Sequence, residues 1–169
     1  GGSCLPKDLR AFLSVARGQN LSLPMLENVI PSNVRQIDRA LDLILESGAR
    51  RIGFHGIAFK PGTDDLRESP LVELAERLLG KGKQLVVYDE KVQVARLVGG
   101  NKSYVEQKFP HLAQLLTDKS EALQDCDMIL LGHAASEEHI KTWTAAGKVV
   151  LDLTGKHSQS VTQNLVSIV

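Results

Sequence analysis

Two rhythms of apolar and polar positions divide this chain. From residue 51 onward, short apolar runs bounded by turn residues alternate with stretches of helical spacing. Residues 51–57, 84–89, 127–132 and 148–153 are such runs and predict four strands. Residues 70–80 predict a helix, with Ser69 suited to its N-cap and Pro70 to its first position. Helical spacing also marks residues 91–97, 102–116 and 137–146, with a short helical turn at 121–124. Residues 161–169 fit either a last strand or a loose end. Strands alternating with helices predict an α/β fold, a Rossmann-like parallel sheet flanked by helices with right-handed crossovers, over residues 50–169.

Ahead of residue 51 the rhythm is helical. Leu5, Leu9, Phe12, Leu13 and Ala16 make one apolar stripe, with Pro6 in a first turn and Gly18 at the stop. A long helix is expected from about Met25 to Glu46, where Val34, Ile37, Leu41 and Ile44 repeat at coiled-coil-like spacing. Pro31 should kink that helix or begin it afresh. The long helix precedes the first strand and belongs to no βαβ unit. It reads as a connector between domains or a dimer contact; packing on its own sheet is the alternative. Residues 1–49 are thus expected to form a cysteine-bearing loop and helical segment set before the sheet domain.

Composition narrows the function classes. The 169 residues suffice for one domain with an appendage, and 43% of them are apolar. Twenty basic residues balance twenty acidic ones with no basic run, so no nucleic-acid partner is expected. No apolar run approaches the ~20 residues of a membrane span, and no signal peptide is visible. Two cysteines, Cys4 and Cys126, make no disulfide framework, which favours a reduced, cytoplasmic setting. Neither they nor the histidines show metal-ligand spacing, so no metal is expected. The chain opens on Gly1-Gly2 without Met, as an excised fragment or a tagged protein would.

Two places could carry chemistry. Cys4 would sit just outside a helix N-terminus, where unpaired N–H groups favour a thiolate, and Asp8 lies one helical step on. A nucleophile is one reading of Cys4; a buried, inert thiol is the other. Cys126, just before a strand, reads as buried filler. The second place is the polar loop 58–69, at the carboxyl end of the first strand, where open α/β sheets bind ligands. Gly53, Gly56 and Gly62 do not form the G-x-G-x-x-G turn of a dinucleotide site. Asp89 reads as a strand-end residue, with a ribose contact as the alternative. A nucleotide could be held by other means: main-chain groups of 57–59 for a base, Phe59 as an apolar wall and Lys60 for a phosphate. The plainer readings are a solvated Lys60 and an Arg67 paired with Asp64, Asp65 or Glu68.

The stretch Gly-Gly-Ser-Cys4-Leu-Pro-Lys-Asp8 and the stretch Phe59-Lys-Pro-Gly-Thr-Asp-Asp-Leu-Arg67-Glu-Ser-Pro70, in this order and separated by a long helix, resemble the UDP-glucose/GDP-mannose dehydrogenase family over the whole chain. The resemblance implies the carboxyl-terminal part of a longer enzyme that oxidises a sugar C6 alcohol to a carboxylate with two NAD, the NAD being bound mainly by an amino-terminal domain. It implies Cys4 as nucleophile, Asp8 as the carboxylate assisting hydrolysis, Phe59 and Lys60 at the nucleotide sugar, and Arg67 reaching to NAD. It also implies a homodimer through the long helix. Residues 66–76, 80–82, 100–104 and 110–111 look closer to the GDP-mannose branch, whose product feeds alginate, whereas Lys60-Pro61-Gly62 suits the UDP-glucose branch equally. A Cys–His hydrolase and a non-catalytic nucleotide-binding or dimerisation module are the competing classes.

Overall fold

The fold is given by a computed structural model and is described for residues 2–157 and 165–167. Six strands form one sheet: β1 (Arg51–His55), β2 (Gln84–Tyr88), β3 (Leu116–Thr117), β4 (Met128–Leu131), β5 (Val149–Asp152) and β6 (Leu165–Ser167). Their order is β3-β2-β1-β4-β5-β6, and every pairing is parallel. The chain therefore builds outward from β1 to one side, then returns and builds to the other. Gly53 at the sheet centre faces Val86 on one neighbour and Ile129 on the other. The reversal opens a crevice at the carboxyl ends of β1 and β4.

Helices cover both faces, which is why the strands read as nearly continuous apolar runs. On one face, Ile52, Phe54 and Leu130 pack against Leu74, Ala75 and Leu78 of α4 (Pro70–Gly80) and against Ala40 and Ile44 of α3 (Val29–Glu46). On the other, Ile129, Leu131 and Val150 pack against Ile140 and Trp143 of α7 (Glu137–Ala145). Truncating Phe54, fully buried at the centre, to Ala would cost about 3–5 kcal/mol. The predicted cap of α4 forms: the Ser69 hydroxyl accepts the Leu71 N–H at 3.3 Å.

Several elements depart from the pattern. The long helical segment is broken, with α2 (Pro24–Glu27) ending at Asn28 and α3 starting at Val29. Pro31 falls in the first turn of α3, where its missing N–H costs no intrahelical bond. The expected seam is used within the chain itself: Ile44 is fully buried in the core, and Ile37 and Leu41 pack against it. Asp38 of α3 also pairs with Arg77 of α4 at 2.6 Å. Among the described residues, the large apolar side chains that this helix leaves exposed are Val29 and Val34. In α1 (Leu5–Gly18) Leu13 and Ala16 are buried, but Leu5, Phe12 and Val15 are exposed.

Residues 91–97 form only a single 3-10 turn at Val94–Arg96, with Val92 and Leu97 buried on either side of it. The stretch 102–116 becomes α5 (Gly99–Lys108), α6 (Leu112–Leu115) and the short β3, which the sequence reading missed. Part of the ambiguous tail is the strand β6, and the remainder of residues 158–169 lies outside the described residues. Among the described residues, no helix is long and apolar enough to cross a membrane.

Candidate functional site

The first turn after β1 is shaped by Asp89. Its Oδ2 accepts the Ile57 and Ala58 N–H groups at 2.8 and 3.0 Å, and its Oδ1 accepts that of Lys91 at 3.1 Å. This buried carboxylate is thus a backbone clamp, in keeping with the strand-end reading of Asp89. Gly56 is needed beside it. Its φ is +89°, and a Cβ there would lie 2.3 Å from the His133 ring. His133 Nε2 in turn sits 3.0 Å from the Ala58 carbonyl.

From Phe59 the chain makes a closed loop that returns to α4. The Phe59 N–H donates to the Asp65 carbonyl at 3.2 Å, and the Ser69 hydroxyl donates to the Ile57 carbonyl at 2.8 Å, pinning both ends together. Asp65 organises the middle. Its carboxylate accepts the Arg67 N–H at 3.0 Å and the guanidinium at 2.9 and 2.8 Å. The Arg67 side chain holds the Asp65 carboxyl below its usual range, assisted by the Ser3 hydroxyl. Arg67 is therefore ion-paired, as its plainer reading had it, while 43% of its side chain remains open. Lys60 is exposed and lies over the Phe59 ring, 5.2 Å from its centroid.

The cysteine turn docks on this loop. The Gly2 N–H donates to the Glu68 carbonyl at 3.1 Å, and Arg10 of α1 pairs with the Glu68 carboxylate at 2.5 Å. Gly2, at φ +87°, presses so closely on Phe59 that a Cβ would lie 2.6 Å from the ring. Cys4 occupies the N-cap position of α1 and is exposed, which rules out the buried-thiol reading, whereas Cys126 is buried as expected. Arg67 is held charged by Asp65 foremost, and the nearby Cys4 contributes in the same direction. Asp8 is exposed on the first turn of α1; its N–H donates to the Cys4 carbonyl at 2.9 Å and its carboxylate lies 3.4 Å from Lys7.

Cys4, Phe59 and Arg67 thus come from two stretches that the fold clasps together, with Lys60 beside them on the same loop. Gly2 and Arg10, which hold the cysteine turn to Glu68, were not singled out by the pattern, whereas Asp65 was one of three partners expected for Arg67. Gly2 alone left a trace, as half of a Gly-Gly pair directly before Ser-Cys.

Two hollows adjoin the loop. An open cleft of about 850 Å³ runs between α1, α3 and α4 and reaches the loop at Phe59 and Glu68. A smaller one of about 160 Å³ lies over the carboxyl ends of β1 and β2, lined by His55, Gly62, Asp89, Lys91 and His133. His55 borders an aromatic group, with ring centroids 5.5 Å from Tyr88 and 5.8 Å from Trp143, and burial pushes its pKa down. Its Nδ1 faces the His133 carbonyl at 3.3 Å. Both histidines are thus engaged with backbone carbonyls, His55 with that of His133 and His133 with that of Ala58. Among the described residues no group of three or more His, Cys, Asp or Glu side chains is placed to hold a metal ion.

A doubly wound parallel sheet with a cationic loop over its central strand places the protein in the α/β class typified by nucleotide-binding domains. Residues 53–156 match the model of the UDP-glucose/GDP-mannose dehydrogenase family, UDP binding domain. GDP-mannose 6-dehydrogenase of Pseudomonas putida is 47% identical over 157 residues, covering 92% of this chain and 36% of that protein. UDP-glucose 6-dehydrogenase YwqF of Bacillus subtilis is 36% identical over 78% of this chain and 29% of its own. In three dimensions, the GDP-mannose dehydrogenase of Pseudomonas aeruginosa, solved as a ternary complex, superposes with a TM-score of 0.85 at 42% identity, over 99% of this chain and 39% of that one. The chain belongs to the UDP-glucose/GDP-mannose dehydrogenase family. It spans little more than a third of the length of the GDP-mannose 6-dehydrogenases it matches.

Proposed function

We propose that this chain is the nucleotide-sugar-binding, cysteine-bearing part of a cytoplasmic GDP-mannose 6-dehydrogenase that makes GDP-mannuronate, an alginate-type polysaccharide precursor. One observation carries the reading: the Cys4 turn and the Phe59–Arg67 stretch, far apart in sequence, are clasped into one surface by the contacts of Gly2 and Arg10 with Glu68. The GDP-mannose 6-dehydrogenase relatives, at 41–47% identity over more than nine-tenths of the chain, support the choice of sugar nucleotide.

In this reading Phe59 flanks the nucleotide and Lys60 neutralises its phosphates. NAD would supply the hydride acceptor for both oxidations. The residues here suit only a minor share of its binding: the strand-to-helix turn lacks the dinucleotide fingerprint, Asp89 is engaged with the backbone, and Arg67 offers its open edge. The rest of the chemistry falls to this chain's own groups. The Cys4 sulfur adds to the C6 aldehyde, the carbonyl oxygen taking up a proton, and gives a thiohemiacetal. Oxidation turns this into a thioester. Water opens the thioester, oriented or deprotonated by Asp8, and releases the carboxylate and the thiol. Without the rest of the parent, the chain as given does not turn over.

A homodimer contact through the long helix rests on Val29 and Val34, since its remaining apolar seam lies within the chain's own core. The test is steady-state kinetics of the full-length parent with NAD. GDP-mannose should be the better substrate by kcat/KM; preference for UDP-glucose would move the chain to the other branch, and turnover of neither would overturn the reading.

A further inference from the structure

Asn101, in the first turn of α5, has both side-chain polar atoms on the 59–69 loop. Its Oδ1 accepts the Leu66 N–H at 3.0 Å, and its Nδ2 donates to the Asp64 carbonyl at 2.9 Å. These two bonds bracket Asp65, the residue that fixes Arg67. Leu66 has a fully buried side chain, so its amide has little recourse to water. The same helix supplies further contacts: Gly100 approaches the Arg67 guanidinium, to which a Cβ would come within 3.8 Å, and Tyr104 lies against the Glu68 backbone. The helix is itself anchored, since Val105 and Phe109 are buried in the main core. A short amide is the side chain that can accept from one peptide and donate to another two residues away. Aspartate lacks the donor and alanine lacks both.

We propose that Asn101 is a positioning residue that holds the Lys60 and Arg67 loop in its substrate-binding shape, acting from a rigid helix without touching the reacting atoms. This rests on the nucleotide-sugar reading above. Asn101 gives the loop, which carries few apolar side chains of its own, two fixed hydrogen bonds from α5. The clasp with α1 holds the same loop separately, through Glu68.

The test uses the full-length parent with GDP-mannose and NAD. Asn101→Ala should raise the KM for the nucleotide sugar roughly tenfold, the worth of two neutral hydrogen bonds, and change kcat less than about threefold. Asn101→Asp, which keeps the volume and the acceptor, should show a smaller rise and decides the matter if the alanine variant does not fold. Amide exchange at Leu66, read on the same proteins, should quicken roughly tenfold in the alanine variant. An unchanged KM, or a fall in kcat at constant KM, overturns the proposal. If the wild-type parent oxidises no nucleotide sugar, the functional reading fails instead, and Leu66 exchange alone decides: faster exchange sustains the positioning role and unchanged exchange ends it.

Discussion

Replacing Gly2 by Ala perturbs the clasp at its tightest point. The backbone at Gly2 has φ +87°, a region that costs an L-residue about 1–2 kcal/mol. The new Cβ would stand 2.6 Å from one Phe59 ring carbon and 2.8 Å from another, so the ring or the turn must move, at about 1–3 kcal/mol of overpacking. Against this stand the Gly2–Glu68 hydrogen bond, worth about 0.5–1.5 kcal/mol, and the half-exposed Arg10–Glu68 pair, worth about 0–1 kcal/mol. The penalty exceeds what holds the turn down, so the variant should sit mostly undocked. Activity that needs Cys4 beside the loop then falls with the docked fraction, to roughly a tenth or less of the wild-type kcat/KM. The assay is initial-rate NADH production by the full-length parent, with far-UV circular dichroism to establish that the sheet is intact. Full kcat/KM in a folded Gly2→Ala enzyme would refute the idea that this contact sets the position of Cys4.

Asp89→Ala should lower the stability of the chain by about 2–6 kcal/mol, because the Ile57 and Ala58 amides each lose their partner, and Asn should recover part of the loss; an unshifted urea midpoint would show that the clamp is dispensable. His55, whose pKa burial pushes below its ordinary 6.5, makes stability depend on pH. The unfolded chain takes up the proton first, so stability is full above about pH 6.5 and declines as the pH falls towards the folded-state value. His55→Gln should flatten that slope in denaturation series run between about pH 7.5 and 5, and equal slopes in both proteins would discard the assignment.

The sheet was largely legible because its central strands are buried on both faces and so declare themselves as apolar runs. β1, β2, β4 and β5 fall within two residues of the stretches read from the pattern. β3 escaped because two residues, Leu116 and Thr117, carry no periodicity. Residues 91–97 misled for the opposite reason: their apolar positions 92, 94, 95 and 97 pair at a spacing of three, as in a helix, but Asp89 draws the chain into a turn at Lys91 that only a single 3-10 turn follows. The long helix looked unpartnered because its seam has no strand before it, yet the α3 seam packs on α4, which arrives later in the chain. In the candidate site, Cys4, Asp8, Phe59, Lys60 and Arg67 were singled out through local motifs. The contacts that join them are not local. The Gly2–Glu68 and Asn101–Leu66 bonds span 66 and 35 residues, and a one-dimensional pattern holds no sign of such pairings.

The chemistry assigned to Cys4 is tested most directly by counting NADH in a single turnover. With enzyme in excess over GDP-mannose and NAD plentiful, the full-length parent should release two NADH per sugar and yield the acid. The Cys4→Ser enzyme should stop at one NADH or none, with no acid formed. Two NADH and free GDP-mannuronate from that variant, at the wild-type rate, would remove Cys4 from the reaction and contradict the account.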